Sequence, residues 1–500
     1  MKKQLILALL SASVTFSMTN TTVYAANDEK PVVTILTNIN VDTEGTDVND
    51  NDYLHYIEDQ VGIDIQFINE TSSTAYPQKL NTLMASNELP DGIMLMGDTQ
   101  RSDLARLAEE EMLLPLDDYL DDYPNLKSQL KQEAWDVAKY NEHIYAIPFQ
   151  RFDSSPYMTF IRRDWLEALN IDPEKDMNTI EDWYNVLKRF VEEDPDGNGQ
   201  KDTIALTSTS SGTHFTNFTF LDSFDAAKAA YVDGELLPNY IRPEYKEWLH
   251  FMNKLYSEGI LDPSFIVDDP STLWDKVSSG KYGGFLWFWG LTEYQSLGYD
   301  RTDFVAVKPP LKEDGSEASY IYSSPARHMM AITADCEHPE YLLKLWDWAC
   351  SVEGGVFVYA GLEGKDYDVV DNEIVLKDDR KGKNIGWRQL TLGIQNPNVS
   401  EAPLYDILCQ NYGETGMNDL ALSNEVGAYN DLDLYCPIFP DLQKYDFTKS
   451  VQEFTDKAII GAIDIDAEWD NYVNNWRNAG GNEKIKLATE WYVNSEYYNE

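Results

Sequence analysis

The sequence predicts an α/β protein built on a parallel sheet with helices on its faces, and three stretches carry the prediction. "PVVTILTNI" (31–39) is a β-branched run, and "DYLHYIEDQVGIDIQFI" (52–68) reads as a helix leading into a second strand, so the chain opens as a βαβ unit. "YPQKLNTLMASNEL" (76–89) repeats the helical period up to Pro90, and "DGIMLMGD" (91–98) follows as a short buried strand. "RSDLARLAEEEM" (101–112) is helical again, and strands alternating with helices favour a parallel sheet. In open sheets of that kind ligands bind beyond the carboxyl ends of the strands, which makes the polar tips at Asn38, Asn40 and Asp98 candidate contacts.

Ahead of the first strand, Lys2 and Lys3 precede the apolar run "LILALLSASVTF", and Val23 and Ala25 place small residues before a cleavage point. Residues 1–25 therefore read as a signal peptide, and no later run approaches the ~20 apolar residues that a membrane helix needs. The expected product is secreted and soluble. The first cysteine is Cys336, so no lipobox cysteine is expected at the cleavage point. The four cysteines (Cys336, Cys350, Cys409, Cys436) show no metal or C-x-x-C spacing. Cys350 falls on the apolar side of "EYLLKLWDWAC", where a buried free thiol is expected.

At 500 residues with 43% hydrophobic content, the chain can fill two or three domain cores. Its net charge of −47, spread along the whole length, opposes nucleic acid and anionic lipid surfaces and favours solubility outside the cell.

A second α/β region is predicted from about residue 150. "IYAIPFQRFDSSPYMTFIRRDWLEAL" (144–169) holds two strand-like runs around a polar turn, then a helix. Thr179 with Asp182 forms a capping box ahead of Trp183, Leu187 and Phe190 on one helical face. That helix runs into "DPDGNGQKDTI" (194–204), and "TIALTSTS" (203–210) is expected as a strand. The region beyond 400 is mostly helical, ending with "DAEWDNYVNNWRNAGG" and "KIKLATEWYV".

The 194–204 loop matches the first nine positions of a calcium loop. Asp194, Asp196 and Asn198 offer side-chain oxygens, Gly199 allows the sharp turn, Gln200 offers its carbonyl, and Asp202 acts directly or through water. Oxygen-only ligands select calcium over zinc. The twelfth position, where an EF-hand has a bidentate Glu, is Ala205, so this is not an EF-hand sensor. A plain Asp- and Gly-rich turn is the alternative.

Several stretches, in order, resemble a known family: "NELPDGIML", "LLPLDDYL", "NEHIYAIP", "FIRRDWLEALNI", "TIEDWYNVLKRFVEEDPDGNGQKDTI", "HPEYLLKLWDWACSVEGG" and "YAGLEGKDYDVV". The set resembles the extracellular solute-binding proteins of bacterial ABC importers, in the subgroup that handles oligosaccharides. The resemblance implies a two-lobed, periplasmic-binding-protein-like fold of type II with discontinuous lobes joined by a hinge. One lobe would comprise 26–148 and 327–390, the other 149–326 and 391–500. It further implies a monomeric, non-enzymatic receptor that closes on an oligosaccharide in the inter-lobe cleft and delivers it to the membrane permease. In this subgroup a similar loop binds a structural calcium, often with an acidic residue where Thr203 stands here.

Sugar recognition needs aromatic platforms beside polar groups. "KYGGFLWFWGLTEY" (281–294) supplies Trp287, Phe288 and Trp289; core packing accounts for most single aromatics, but three consecutive rings cannot all point inward from a strand. By resemblance, Trp287 and Trp289 line the cleft. Tyr322 and Arg327 stand where the chain is expected to cross between lobes, and Gln150, Arg151 and Asp153 at the other crossing. Arg327 offers paired hydrogen bonds to hydroxyls or a carboxylate, or a salt bridge to one of the many acids. Trp387, Arg388 and Tyr412 are further candidates. The competing reading is a secreted glycoside hydrolase, with two carboxylates ~5–9 Å apart. Among 86 acidic residues such a pair carries no information, and no Ser/His/Asp, H-E-x-x-H or phosphate-loop pattern stands out.

Overall fold

The computed structural model describes residues 30–39, 47–72, 75–96, 99–150, 157–209, 220–288, 303–322, 324–380, 386–429, 432, 435–439, 442, 444–445, 447–495 and 498. The expected signal peptide lies outside them.

In chain order the strands that position the site are β1 (Val32–Thr37), β2 (Asp64–Asn69), β3 (Gly92–Met96), β4 (Ala146–Pro148), β5 (Tyr157–Arg162), β6 (Gly284–Phe288), β7 (Phe304–Val307), β8 (Tyr320–Tyr322), β9 (His328–Ile332), β10 (Tyr367–Val370), β11 (Glu373–Leu376) and β12 (Gly427–Tyr429). The helices that matter are α1 (Asp52–Val61), α2 (Tyr76–Ser86), α3 (Gln100–Glu109), α4 (Ile180–Glu192), α5 (Pro243–Ser257), α6 (Pro270–Ser278), α7 (Pro339–Cys350), α8 (Val352–Ala360) and α9 (Leu404–Val426).

The opening βαβ unit forms as the sequence predicts. Asn51 caps α1 by accepting from Leu54 N at 2.9 Å, and β1 pairs in parallel with β2 and β3. The first sheet runs β2–β1–β3–β9–β4. It is mixed rather than parallel, because β9 is antiparallel to both β3 and β4. The reversal follows from connectivity: β9 returns from the other sheet and enters from the opposite end. α2 stops at Ser86, ahead of Pro90, because Asn87 adopts the left-handed conformation (φ 56°).

The two strand-like runs predicted around residue 150 belong to different sheets. β4 is the edge of the first, and β5 is the centre of a second, antiparallel sheet, β6–β5–β7. Alternation along its strands divides their side chains between two cores. Met158, Phe160, Phe285, Trp287, Phe304 and Ala306 join the core that also holds Ile35, Ile93 and Met330. Ile161, Leu286 and Val307 join a second core with Trp183, Leu187 and Phe190 of α4 and Trp248 of α5. The capping box on α4 is formed as expected, with Asp182 N donating to Thr179 Oγ1 at 3.1 Å and Thr179 N to Asp182 at 2.9 Å. Of the strand expected at 203–210, residues 203–209 are described, and they form isolated parallel bridges at Ile204, Leu206 and Thr207; the Thr203 hydroxyl donates to Phe190 O at 2.7 Å. Cys350 is buried with a free thiol, as expected.

Candidate functional site

Two segments lead into or out of the first sheet: 149–156 joins β4 to β5 of the second sheet, and 323–327 joins β8, which pairs with β12, to β9. Their first-sheet ends are stitched side by side. Phe149 N donates to His328 O at 2.8 Å and Arg327 N to Phe149 O at 3.1 Å, while Gln100 Nε2 at the start of α3 donates to Ala326 O at 3.1 Å. His328 Nε2 lies 2.6 Å from Leu392 O, and Phe149 packs on its ring at 4.6 Å. Burial pulls the imidazole pKa down to about 4, so the ring is neutral and donates to that carbonyl.

On the second-sheet side an aromatic run meets these crossings. Tyr157, the first residue of β5, has the ring of Trp287 edge-on at 6.0 Å, and Trp287 in turn meets Trp274 of α6 at 5.0 Å. Burial raises the Tyr157 phenol pKa, and the nearby positive charge of Arg327 acts against that rise. Arg327 itself is exposed. The arrangement sets an exposed guanidinium beside a half-buried phenol at the junction of the two sheets, with two buried indoles packed behind the phenol.

The sequence-predicted candidates therefore separate. Arg327 and Trp287 come together, bridged by Tyr157, which the sequence marks only as part of a strand-like run. Trp287 is only 8% exposed, so its role is to back Tyr157 rather than to offer an open face. Gln150 is buried at the crossing with its Oε1 accepting from Lys131 N at 2.6 Å, which fixes it to the scaffold. Asn38 likewise donates to Glu70 O. Tyr412 lies half-buried on α9 against the first core. Asn40, Asp98, Arg151, Asp153 and Trp289 lie outside the described residues, as do the side chains of Tyr322, Trp387 and Arg388.

The 194–204 loop sits at the end of α4, flanked by Phe190 and Ala205 of the second core. Gly199 N donates to Asp194 Oδ2 at 2.9 Å and Gln200 N to Asn198 Oδ1 at 2.7 Å, with Gly197 and Gly199 at positive φ (67° and 76°) closing the turn. Asn198 Nδ2 bridges Asp196 Oδ2 (2.7 Å) and Asp202 Oδ1 (3.1 Å). Lys281 pairs with Asp202 at 2.7 Å and, with the Asn198 bond, holds that carboxyl below its usual range. Asp196 is raised, first by desolvation and then by its neighbours Asp194 and Asp202. Asp194 Oδ1 is buried and without a hydrogen-bond partner. An orphaned carboxylate oxygen beside a second, mutually repelling carboxylate is a donor set that suits a hard cation. Among the described residues no group of three or more His, Cys, Asp or Glu is gathered as a metal site. Asp202 is drawn to Lys281, and the Asn198 amide nitrogen supplies the positive end between the carboxylates. A half-turn of that amide would present Oδ1 instead. Asp194, Asp196, Asn198, the Gln200 carbonyl and Asp202 are the residues that would hold calcium, and they fit it in chemistry.

Comparison with known proteins places this geometry in context. The family model described as bacterial extracellular solute-binding protein matches residues 52–356. The chain is 24% identical over 441 residues to lipoprotein LipO of Bacillus subtilis, covering 85% of each. It is 30% identical over 256 residues to the fructooligosaccharide ABC transporter substrate-binding protein FusA of Streptococcus pneumoniae, covering 47% of this chain and 46% of that one. Among solved structures, FusA in complex with kestose superposes with a TM-score of 0.69 at 20% identity, covering 92% of this chain and 99% of that one. The alginate-binding protein AlgQ2 without calcium ion superposes at 0.66 and 18% identity, covering 93% and 99%. An EF-hand mutant of FusA with fructo-nystose gives 0.67 at 21% identity, covering 92% and 99%. The fold is thus the two-lobed arrangement of the periplasmic binding proteins.

Proposed function

The chain belongs to the bacterial extracellular solute-binding protein family, and from that premise we propose that it captures an oligosaccharide between its lobes for an ABC importer. The family binds solutes and does not transform them, which sets the glycoside hydrolase reading aside. The observation that supports a sugar is the exposed Arg327 beside the half-buried Tyr157 where the crossings between the sheets meet, with Trp287 and Trp274 buried behind the phenol. Rings with hydrogen-bonding edges suit a ligand that is apolar on its faces and polar at its rim. Lobe closure by hinge motion would trap it. A membrane permease is the proposed recipient, the receptor acting as an exported monomer.

Calcium is the proposed cation of the 194–204 loop. Its role there is to pin the junction between α4 and the bridges at Ile204–Thr207, with no contact to the sugar. The orphaned Asp194 Oδ1 supports this, as do the references to calcium and an EF-hand among the structural relatives.

The test is a thermal-shift panel of kestose, longer fructans, and neutral plant, host and microbial oligosaccharides, with amino acids and peptides as controls. A ligand at a hundred times its Kd stabilises by ~2.7 kcal/mol. A strong sugar hit, left intact after incubation, is expected. A panel in which only peptides or amino acids stabilise the protein, or in which nothing does, would overturn the reading.

A further inference from the structure

The long helix α9 is broken in its middle. Gly413 has φ 64° and ψ −176°, a conformation essentially confined to glycine. A Cβ at this position would meet nothing within 4 Å, so the glycine is not there for want of space. Only the backbone geometry requires it.

The two halves of α9 dock on different parts of the molecule. In the first half, the Gln410 side chain accepts from Leu376 N at 2.9 Å and donates to Ile374 O at 2.7 Å on β11, while Asn411 Nδ2 donates to Tyr359 O at 3.2 Å on α8. α8 in turn packs on α7 and α7 on α1, which lies against β2 of the first sheet. In the second half, Glu425 is paired with Lys308 at the end of β7. The chain then enters β12, which lies parallel to β8, and Tyr320 of β8 donates its hydroxyl to Val307 O at 2.7 Å. That half is therefore tied to the second sheet.

We propose that Gly413 is the pivot of a third crossing between the lobes, with the halves of α9 changing their mutual angle as the lobes move. Sharp helix kinks occur where glycine releases the ladder, and hinges concentrate their torsion change in a few such residues. The links from β4 to β5 and from β8 to β9 are the other two crossings. The break at Gly413 lets α9 follow without losing its grip on either sheet. The proposal rests on the reading that the lobes close on a ligand, but its test uses no ligand, so a failed sugar panel and a failed pivot are told apart.

The experiment compares the ligand-free full chain with Gly413→Ala and Gly413→Asn, by small-angle scattering and by amide hydrogen exchange over 404–426. Gly259→Ala is the control: that glycine also has positive φ (71°) and open surroundings but lies within one lobe, beyond α5. That region of φ and ψ is essentially closed to any residue with a Cβ, so alanine and asparagine both disfavour the broken geometry by about tenfold or more in population. Both replacements at 413 are expected to change the scattering-derived radius and slow exchange around 410–417 about tenfold, while the control changes neither. Scattering and exchange unchanged at Gly413→Ala, or changed equally by Gly259→Ala, would overturn the pivot.

Discussion

Calcium removal is the perturbation whose outcome the structure constrains most. In the 194–204 loop, the carboxylates of Asp194 and Asp196 repel each other, one Asp194 oxygen is buried without a donor, and Lys281 partly compensates at Asp202. A bound divalent cation relieves the repulsion and satisfies the orphaned oxygen. If calcium is present at a hundred times its Kd, it stabilises the folded state by ~2.7 kcal/mol. For a cooperative unit of roughly 150–250 residues, about 2–4 °C per kcal/mol converts this to ~5–10 °C in Tm. The pH dependence has a definite sign. The folded Asp196 carboxyl holds its proton to higher pH than in the unfolded chain, and calcium must displace that proton. The calcium-induced rise in Tm should therefore shrink as pH falls toward the carboxylate range and be full near neutrality. The assay is differential scanning fluorimetry of the whole chain in calcium, magnesium and EDTA at several pH values, with Asp194→Ala in parallel. Equal Tm values in calcium and EDTA near neutral pH would refute the reasoning, as would an undiminished calcium response in Asp194→Ala.

Lys281→Met should lower Tm in EDTA and enlarge the calcium response, because the ammonium that holds Asp202 is removed; the same fluorimetry checks it. Tyr157→Phe should weaken binding of the glycan identified by the panel about fivefold to tenfold, and Arg327→Ala about tenfold or more, each with Tm within ~2 °C of the parent; titration calorimetry measures both. Trp287→Ala should instead cost ~3–5 kcal/mol of stability in urea unfolding, since the ring is buried between Tyr157 and Trp274. The enclosed His328 is held neutral with a pKa near 4 against 6.5 in the unfolded chain, which takes up its proton first as pH drops. It should therefore contribute up to ~3 kcal/mol of stability above pH ~6.5, lost progressively toward pH ~4. The urea midpoint of His328→Gln, compared with the parent across that range, isolates the contribution.

What the sequence determined by itself is what short-range chemistry fixes. The capping box at Thr179, the βαβ opening, the buried thiol of Cys350 and the spacing of oxygens between Asp194 and Asp202 are set by residues a few positions apart, whose hydrogen bonds and periodicity are local. The ordered series of stretches also carried the family. The tertiary structure decided what depends on strands far apart in the chain. β9 enters the first sheet from the opposite end, so that sheet is mixed, and the runs flanking residue 150 part into separate sheets. The register of β6 against β5 buries Trp287 and leaves Tyr157 beside Arg327, so the residue at the junction differs from the one the aromatic pattern singled out. Lys281 reaches Asp202 only because the 203–207 segment bridges to 282–285. A strand's own sequence specifies its alternation. Which of its faces meets a core, a charge or a cleft depends on the neighbour against which it is registered, and that neighbour is chosen by the whole fold.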